Sequence, residues 1–154
     1  MSDNKYEGLK LRNHLCFPLY AAARETIKLY TPFLDEIGLT YTQYIAMMVL
    51  WERKSVTVKE LGHELFLDSG TLTPMLKKLE TKGLIDRVRS TADERNLIVS
   101  ITEEGEALKD KAVHIPKAMS ESLSVISGNE IIDLYNTLYK LLGRPENAVP
   151  RIEE

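Results

Sequence analysis

The chain has 154 residues, of which 44% are hydrophobic, and this is enough to bury the core of one globular domain. Its formal net charge of -3 excludes an overall basic field, so any surface that binds nucleic acid has to be a local patch. The apolar stretches are far shorter than the roughly 20 residues of a membrane span, and the polar residues 1–7 lack the apolar core of a secretory signal. These features predict a cytoplasmic protein that does not enter a membrane.

The first third of the chain has the hydrophobic periodicity of helices. A long amphipathic helix is predicted for residues 9–31, and Pro18 inside it predicts either a kink or a late start. Pro32 and Gly38 then predict a short turn region. The strongly apolar run Thr40–Trp51 predicts a buried helix at the centre of the domain.

The next segment predicts a helix-turn-helix, because two short helical patterns are joined by only a few residues. Thr57 and Glu60 have the spacing of a capping box, so a helix is expected to begin there. A second helix is expected after a tight turn, capped by Asp68 or Ser69, and it should stop at Gly83.

The remainder of the chain predicts a β hairpin followed by more helix. Residues 84–89 and 97–101 have strand character and flank a polar tip, which predicts a wing. Residues 102–142 form a last helical region, with breaks expected near Pro116 and around Ser127–Gly128. The fold class is therefore mainly α with a small β wing.

Residues 1–154 are expected to form a single domain, because the sequence shows no internal repeat and no linker. Its winged helix-turn-helix would cover residues 40–101. The helical regions 9–34 and 103–143 carry apolar stripes that the small centre cannot cover. Burying those stripes against a second copy of the chain predicts a homodimer.

The second helix of the helix-turn-helix has one apolar face and one face rich in hydroxyl and cationic side chains. Short hydroxyl groups followed by cations can approach a groove closely, and a helix N-terminus attracts phosphate. A solvated basic helix face is the alternative interpretation. The candidate DNA-binding residues on this helix are Ser69, Gly70, Thr71, Thr73, Pro74, Lys77 and Lys78.

The predicted wing adds further candidates. Arg87 and Arg89 are two apart on a strand and so point to the same side. Arg95 lies beside the hairpin tip, where it could enter a minor groove, and Asp93 with Glu94 could orient or neutralise its guanidinium. Helix and hairpin together favour binding to double-stranded DNA over an exposed hairpin of mixed charge.

The segment Leu67–Glu80, followed by Gly83-Leu84-Ile85 and Asp93-Glu94-Arg95-Asn96, resembles the MarR family of winged helix-turn-helix regulators. It resembles in particular the OhrR branch, whose repressors respond to organic hydroperoxides, and the similarity extends from about Leu11 to Ala118. The resemblance implies a dimer held by its N- and C-terminal helices. It also implies two recognition helices in successive major grooves of an inverted-repeat operator.

Cys16 occupies the position where that branch keeps its reactive cysteine, so the resemblance implies a redox sensor rather than a small core side chain. The branch places hydrogen-bonding tyrosine hydroxyls at the positions of Tyr30 and Tyr41. Tyr20 lies one helical turn from Cys16 on the same face. Because Cys16 and Tyr30 are separated by about 21 Å along one helix, Tyr30 could reach the thiol only from the partner chain.

An organic hydroperoxide would convert the thiolate of Cys16 to a sulfenic acid. With no second cysteine in the chain, the expected next state is a mixed disulfide with a low-molecular-weight thiol, unless two Cys16 residues meet across the dimer.

Three alternatives stay open at the level of sequence. One is a MarR-type repressor controlled by a phenolic or lipophilic ligand, with Cys16 structural, and the others are a thiol peroxidase and an interaction module. The three histidines show no metal-ligand spacing, and there is no glycine-rich phosphate loop or nucleophile elbow. We therefore expect no cofactor, no metal and no enzymatic activity.

Overall fold

A computed structural model describes residues 5–92 and 96–147. The chain divides into two compact units, Met1–Ile115 and Pro116–Glu154. None of the helices in the described part of the chain is long and apolar enough to cross a membrane.

The first long helix, α1, spans Cys16–Glu36 and follows two short 3-10 turns at Glu7–Leu9 and Leu11–Asn13. Pro18 is the third residue of α1, where a backbone N–H would have no partner within the helix, so the proline costs no hydrogen bond. Of the two expectations for Pro18, the late start is confirmed.

The expected end of this helix near residue 31 is wrong, because Pro32 lies inside α1 and the helix continues to Glu36. A proline removes only the one bond that its own nitrogen would donate, to the carbonyl of Lys28, and the turns on either side keep theirs. The helix ends before Gly38, whose φ of 67° turns the chain toward the next helix.

Helix α2, Tyr41–Arg53, is the buried helix expected from the apolar run. Its start is fixed by a capping box that the sequence analysis did not recognise. The Thr40 hydroxyl accepts the N–H of Gln43, and the Gln43 side chain accepts the N–H of Thr40 at 3.1 Å. The core residues of α2 with no exposed surface are Ala46, Met47 and Leu50.

The helix-turn-helix is formed by α3, Val58–Leu65, and α4, Ser69–Thr81. The predicted capping box is confirmed, since the Thr57 hydroxyl accepts the N–H of Glu60 and the Glu60 carboxylate accepts the N–H of Thr57 at 2.7 Å. Phe66 ends α3 in the left-handed region, with φ of 55°, and so reverses the chain toward α4.

The wing strands β2, Ile85–Arg89, and β3, Leu97–Ile101, pair antiparallel as expected. A third strand, β1 at Ser55–Thr57, pairs with the other edge of β3, so the sheet order is β1-β3-β2. The sequence analysis missed β1 because three residues are too few to show a period-two pattern. Val99 of β3 is fully buried at the centre of this sheet.

Three α-helices follow the wing, α5 at Glu103–Ala112, α6 at Ile115–Ser122 and α7 at Gly128–Leu141, and a 3-10 turn at Pro145–Asn147 ends the described chain. The interruptions between them confirm the breaks expected near Pro116 and at Ser127–Gly128. Ser127 caps α7 by accepting the N–H of Glu130. Helix α7 and all of α6 after its first residue belong to the second unit.

Candidate nucleic-acid interface and redox site

The start of α4 is fixed by Asp68, which occupies the N-cap position. Its carboxylate Oδ1 accepts the backbone N–H of Thr71 at 2.9 Å, and this bond to the charged form holds the pKa of Asp68 below its ordinary value. The Thr71 hydroxyl lies 3.4 Å from the other carboxylate oxygen of Asp68. Asp68 therefore sets the first turn of α4 and orients the side chain of Thr71.

Helix α4 divides into a buried face and an exposed face as predicted. Pro74 has no N–H, so the Gly70 carbonyl one turn earlier receives no bond from it and can accept a donor from outside the helix. The buried side chains of α4 are Leu72, Met75, Leu76 and Leu79. The exposed residues include every candidate on this helix: Ser69, Gly70, Thr71, Thr73, Pro74, Lys77 and Lys78.

Arg87 is held by an ion pair that joins the wing to α4. Its Nε and Nη2 both donate to Oε2 of Glu80, at 3.0 and 2.5 Å. The Arg87 side chain is only 19% exposed, and its guanidinium holds the pKa of Glu80 below the ordinary value. Through this ion pair, Arg87 sets the distance between β2 and α4. A direct contact from Arg87 to DNA stays a prediction.

The rest of the wing is exposed toward its tip. Arg89 is an exposed residue at the end of β2, and the hairpin closes where the Ser90 N–H donates to the Asn96 carbonyl at 2.8 Å. Asp93 and Arg95, both predicted to act at the DNA, lie outside the described residues. Their roles stay predictions.

Cys16 is the first residue of α1 and is exposed. Tyr20, one turn further along, is 61% exposed, and the Arg24 guanidinium lies over its ring at 5.5 Å from the ring centroid. Arg24 Nη1 also donates to the Tyr20 hydroxyl at 3.4 Å. Leu15 and Phe17, on either side of Cys16, are exposed apolar side chains. Cys16 is thus accessible to an oxidant from solution.

Tyr30 and Tyr41, the two other predicted sensor residues, are brought together by the packing of α1 on α2. Their ring centroids are 5.0 Å apart in an edge-to-face arrangement, and the Tyr44 ring lies 6.0 Å from that of Tyr30. Burial raises the pKa of Tyr30 and of Tyr41. Both hydroxyls are protonated at neutral pH, as tyrosine hydroxyls ordinarily are, and can donate hydrogen bonds to an anion. We call Tyr30 and Tyr41 the tyrosine pair.

Cys16 and the tyrosine pair do not form one site within the chain. Cys16 and Tyr30 lie on the same uninterrupted helix α1, fourteen residues apart. That separation corresponds to about 21 Å at the helical rise. The sequence-based expectation that Tyr30 cannot reach its own Cys16 is therefore confirmed.

A cavity of about 530 Å³ lies between α3, the start of α4 and β3. It is open to solvent, and its wall combines the apolar Leu67, Leu72 and Leu97 with the polar Thr57, Lys59, His63, Ser69 and Asn96. Among the described residues, no group of three histidine, cysteine or acidic side chains is placed to hold a metal ion.

Comparison with known proteins identifies this arrangement. The family model for the transcriptional regulator SarA/Rot matches residues 28–112. The organic hydroperoxide resistance transcriptional regulator of Bacillus subtilis is 51% identical over 140 residues, which are 91% of this chain and 95% of that protein. The chain belongs to the MarR family, in its OhrR-like branch.

Solved structures of the MarR family agree with this assignment. Overoxidized AbfR of Staphylococcus epidermidis, solved bound to DNA, is 35% identical, covers 90% of this chain and 97% of its own, and has a TM-score of 0.72. A MarR variant from E. coli, complexed with operator DNA, covers 83% of this chain and 93% of its own at a TM-score of 0.73. Its 23% identity supports the fold alone.

One residue of this MarR-family interface was missed by the sequence analysis. In the sequence, Glu80 is only the last residue of the segment that resembles the family, whereas in the structure it is the partner of Arg87. The two residues are seven apart and on different elements, so no helical or strand spacing brings them together. The pairing follows from the turn at Gly83, with φ of 74°, which folds β2 back beside α4.

We expect Glu80→Gln to lower the preference for operator over unrelated DNA by about tenfold. A neutral amide retains at most one weak acceptor for Arg87, so the wing loses its fixed distance from α4, while removal of a carboxylate does not weaken general phosphate binding. The measurement is the ratio of dissociation constants for operator and scrambled DNA. Glu64→Gln is the matched control, because it breaks the exposed Arg53–Glu64 pair without touching the wing. Equal ratios for both variants would contradict a positioning role for the Glu80–Arg87 pair.

Proposed function

We propose that the chain is a repressor that binds an inverted-repeat operator as a homodimer and releases it when an organic hydroperoxide oxidises Cys16. The observation that supports it best is the combination of an exposed Cys16 at the start of α1 with a winged helix-turn-helix whose hydroxyl and lysine face is exposed. The relatives of the chain are regulators, one of them of organic hydroperoxide resistance. We assign the protein to the cytoplasm, where such an operator is found.

The proposed dimer is supported by apolar side chains on the terminal helices. Patches of this kind usually mark an interface, and two-fold symmetry is the commonest way to close one. A dimer would also place the two copies of α4 about one helical turn of DNA apart, as an inverted repeat requires. The exposed apolar residues of these helices are Phe17, Tyr20, Ile27 and Leu29 on α1, and Ile131, Ile132, Leu134 and Leu141 on α7.

The proposed sensor lies across that dimer. Since Cys16 cannot reach the Tyr30 of its own α1, the tyrosine pair that donates to the sulfur anion has to come from the second copy. The Tyr30 and Tyr41 hydroxyls carry their protons at neutral pH and are the donors for this task. Oxidation at Cys16 would then disturb the contact that sets the spacing of the two recognition helices.

The proposed chemistry has two steps. The Cys16 thiolate attacks one oxygen of the hydroperoxide, the O–O bond breaks, and the alkoxide leaves and takes a proton to become an alcohol, while the sulfur becomes a sulfenic acid. A low-molecular-weight thiol then attacks that sulfur and displaces water, which gives a mixed disulfide. The chain has one cysteine, so it offers no second thiol of its own to react with the sulfenic acid and return Cys16 to the reduced state. We therefore propose a stoichiometric signal rather than enzymatic turnover.

The decisive test is a gel shift of the reduced protein on the promoter of its own gene, with and without an organic hydroperoxide. We expect a shift at moderate salt, its loss after treatment with one equivalent of the oxidant, and its recovery with a thiol reductant. Absence of any shift would indicate an interaction module instead. Continuous consumption of peroxide in proportion to protein would indicate a thiol peroxidase.

A second candidate function is supported by the cavity of about 530 Å³ beside α4. Its volume lies within the range of small-molecule sites, and a mixed wall of leucine side chains with the Lys59 ammonium suits a phenolic or lipophilic anion. In that case Cys16 would be structural. Release of the operator by a phenolic acid, together with insensitivity to hydroperoxide, would select this function.

A further inference from the structure

Lys82, the C-cap residue of α4, connects the recognition helix to the corner between α1 and α2. Its ammonium donates to the carbonyl oxygen of Gly38 and to Oε1 of Gln43, the latter at 3.3 Å. Gly38 and Gln43 are 44 and 39 residues away in sequence, so this is a tertiary link and not a local cap. The role of Lys82 was not apparent from the sequence.

One acceptor of Lys82, the Gln43 side chain, is itself held in place by burial and by a hydrogen bond. Gln43 is only 2% exposed, and the same Oε1 accepts the backbone N–H of Thr40 in the capping box that starts α2. The residue after Thr40 is Tyr41, the first residue of α2 and one member of the tyrosine pair. Because Tyr41 is covalently bonded to Thr40, a displacement of the Tyr41 backbone would reach the capping box whose Gln43 Oε1 binds the Lys82 ammonium.

A lysine suits this position for two reasons. An ammonium has three donors and no acceptor, so it can bind two oxygens at once without leaving a buried acceptor unpaired. A cation at the C-terminus of α4 also interacts favourably with the helix dipole. The contact is exposed on one side, so it contributes little to the free energy of unfolding. Its main effect is to fix the position of the C-terminal end of α4.

We propose that Lys82 is a positioning residue that transmits changes at the tyrosine pair to the recognition helix. This inference rests on the proposed function, in which the tyrosine pair meets the oxidised Cys16 of the second copy. The route consists of the Tyr41 ring, the capping box at Thr40 and Gln43, the Lys82 ammonium and the C-terminal end of α4.

The test compares operator dissociation constants of reduced and hydroperoxide-treated protein for wild type and Lys82→Met. Methionine keeps the unbranched side chain and its helix propensity but removes the donors. We expect the ratio of oxidised to reduced dissociation constants to fall at least fivefold in Lys82→Met. Lys82→Arg, which retains a cation and donors, should keep the ratio close to that of wild type.

Lys77→Met is the matched control, since it removes a lysine from the exposed face of the same helix. Loss of a phosphate contact weakens binding equally in both redox states and reduces the slope of log affinity against log salt by about one. Lys82→Met should leave that slope unchanged. A reduced slope in Lys82→Met, with an unaltered redox ratio, would make Lys82 a phosphate contact and overturn the proposal.

A double-mutant cycle on the reduced protein tests the link without any oxidant. We expect the effects of Tyr41→Ala and Lys82→Met on operator affinity to be non-additive, because both interrupt the same route. Additive effects would overturn the inference even if wild type responds to hydroperoxide. A wild type that ignores hydroperoxide would instead contradict the proposed function, so the two failures are distinguishable.

Discussion

Cys16→Ser is expected to bind the operator with an affinity within about twofold of wild type and to stay bound after hydroperoxide treatment. The substitution exchanges one sulfur for one oxygen at an exposed residue in the first turn of α1, so it should disturb neither the core nor α4. A serine hydroxyl is not ionised at neutral pH and does not reduce a hydroperoxide, whereas the thiolate does. The measurement is the operator dissociation constant before and after one equivalent of oxidant.

The control for this experiment is Met48→Leu. Met48 lies on α2 and is 46% exposed. Its thioether sulfur can also be oxidised by peroxides, and the product is a sulfoxide. We expect Met48→Leu to release the operator as wild type does. If Cys16→Ser released the operator after hydroperoxide treatment and Met48→Leu did not, the signal would come from the Met48 thioether, and the role of Cys16 would be contradicted.

Gly105→Ala is expected to destabilise the fold strongly, although it adds only one methyl group. A Cβ at this position in α5 would lie 2.1 Å from the Leu84 carbonyl oxygen and 2.9 Å from Cγ1 of Ile101. The backbone cannot retreat freely, because the Gly105 carbonyl accepts the Trp51 Nε1–H at 2.9 Å and its N–H donates to the Thr102 hydroxyl at 3.0 Å. Overpacking usually costs about 1–3 kcal/mol, and a contact this short with a backbone oxygen places Gly105→Ala at about 3 kcal/mol.

For a chain of this length such a cost lowers the midpoint of thermal unfolding by on the order of 10 °C. The comparison needs equal protein concentrations, because association would add concentration-dependent stability. Gly128→Ala is the matched control: it lies in the first turn of α7 with no atom within 4 Å of an added Cβ. It should unfold at or slightly above the wild-type midpoint. A Gly105→Ala midpoint within 2 °C of wild type, roughly the effect of half a kcal/mol, would contradict the close packing of α5 on the Leu84 carbonyl.

Elements whose causes are local in sequence were predicted well. The capping box of Thr57 and Glu60 requires residues three apart, and the start of α3 follows from it directly. The helix α4 and the strands of the wing were likewise correct within two residues. Pro32 was misinterpreted because the cost of a proline inside a helix is set by the packing of the whole helix, which the local sequence does not contain.

The candidate site was predicted as a set of residues but not as a set of connections. The exposed face of α4 follows from helical periodicity, and Tyr30 with Tyr41 followed from resemblance. The contacts that hold these parts in place join different elements: Glu80 on α4 binds Arg87 on β2, and the Gly38 carbonyl between α1 and α2 binds Lys82 at the end of α4. Such pairings depend on the relative placement of helices and sheet, which only the folded chain provides.

Trp51 gives the experimenter an optical reporter that needs no label. It is the single tryptophan of the chain, it is 8% exposed, and its ring lies 6.1 Å from that of Tyr44, which in turn neighbours Tyr30. Its fluorescence should therefore respond to changes in the packing of Tyr44 and Tyr30. Titrating operator or oxidant while recording the indole emission would follow the internal rearrangement in real time, independently of any electrophoretic readout.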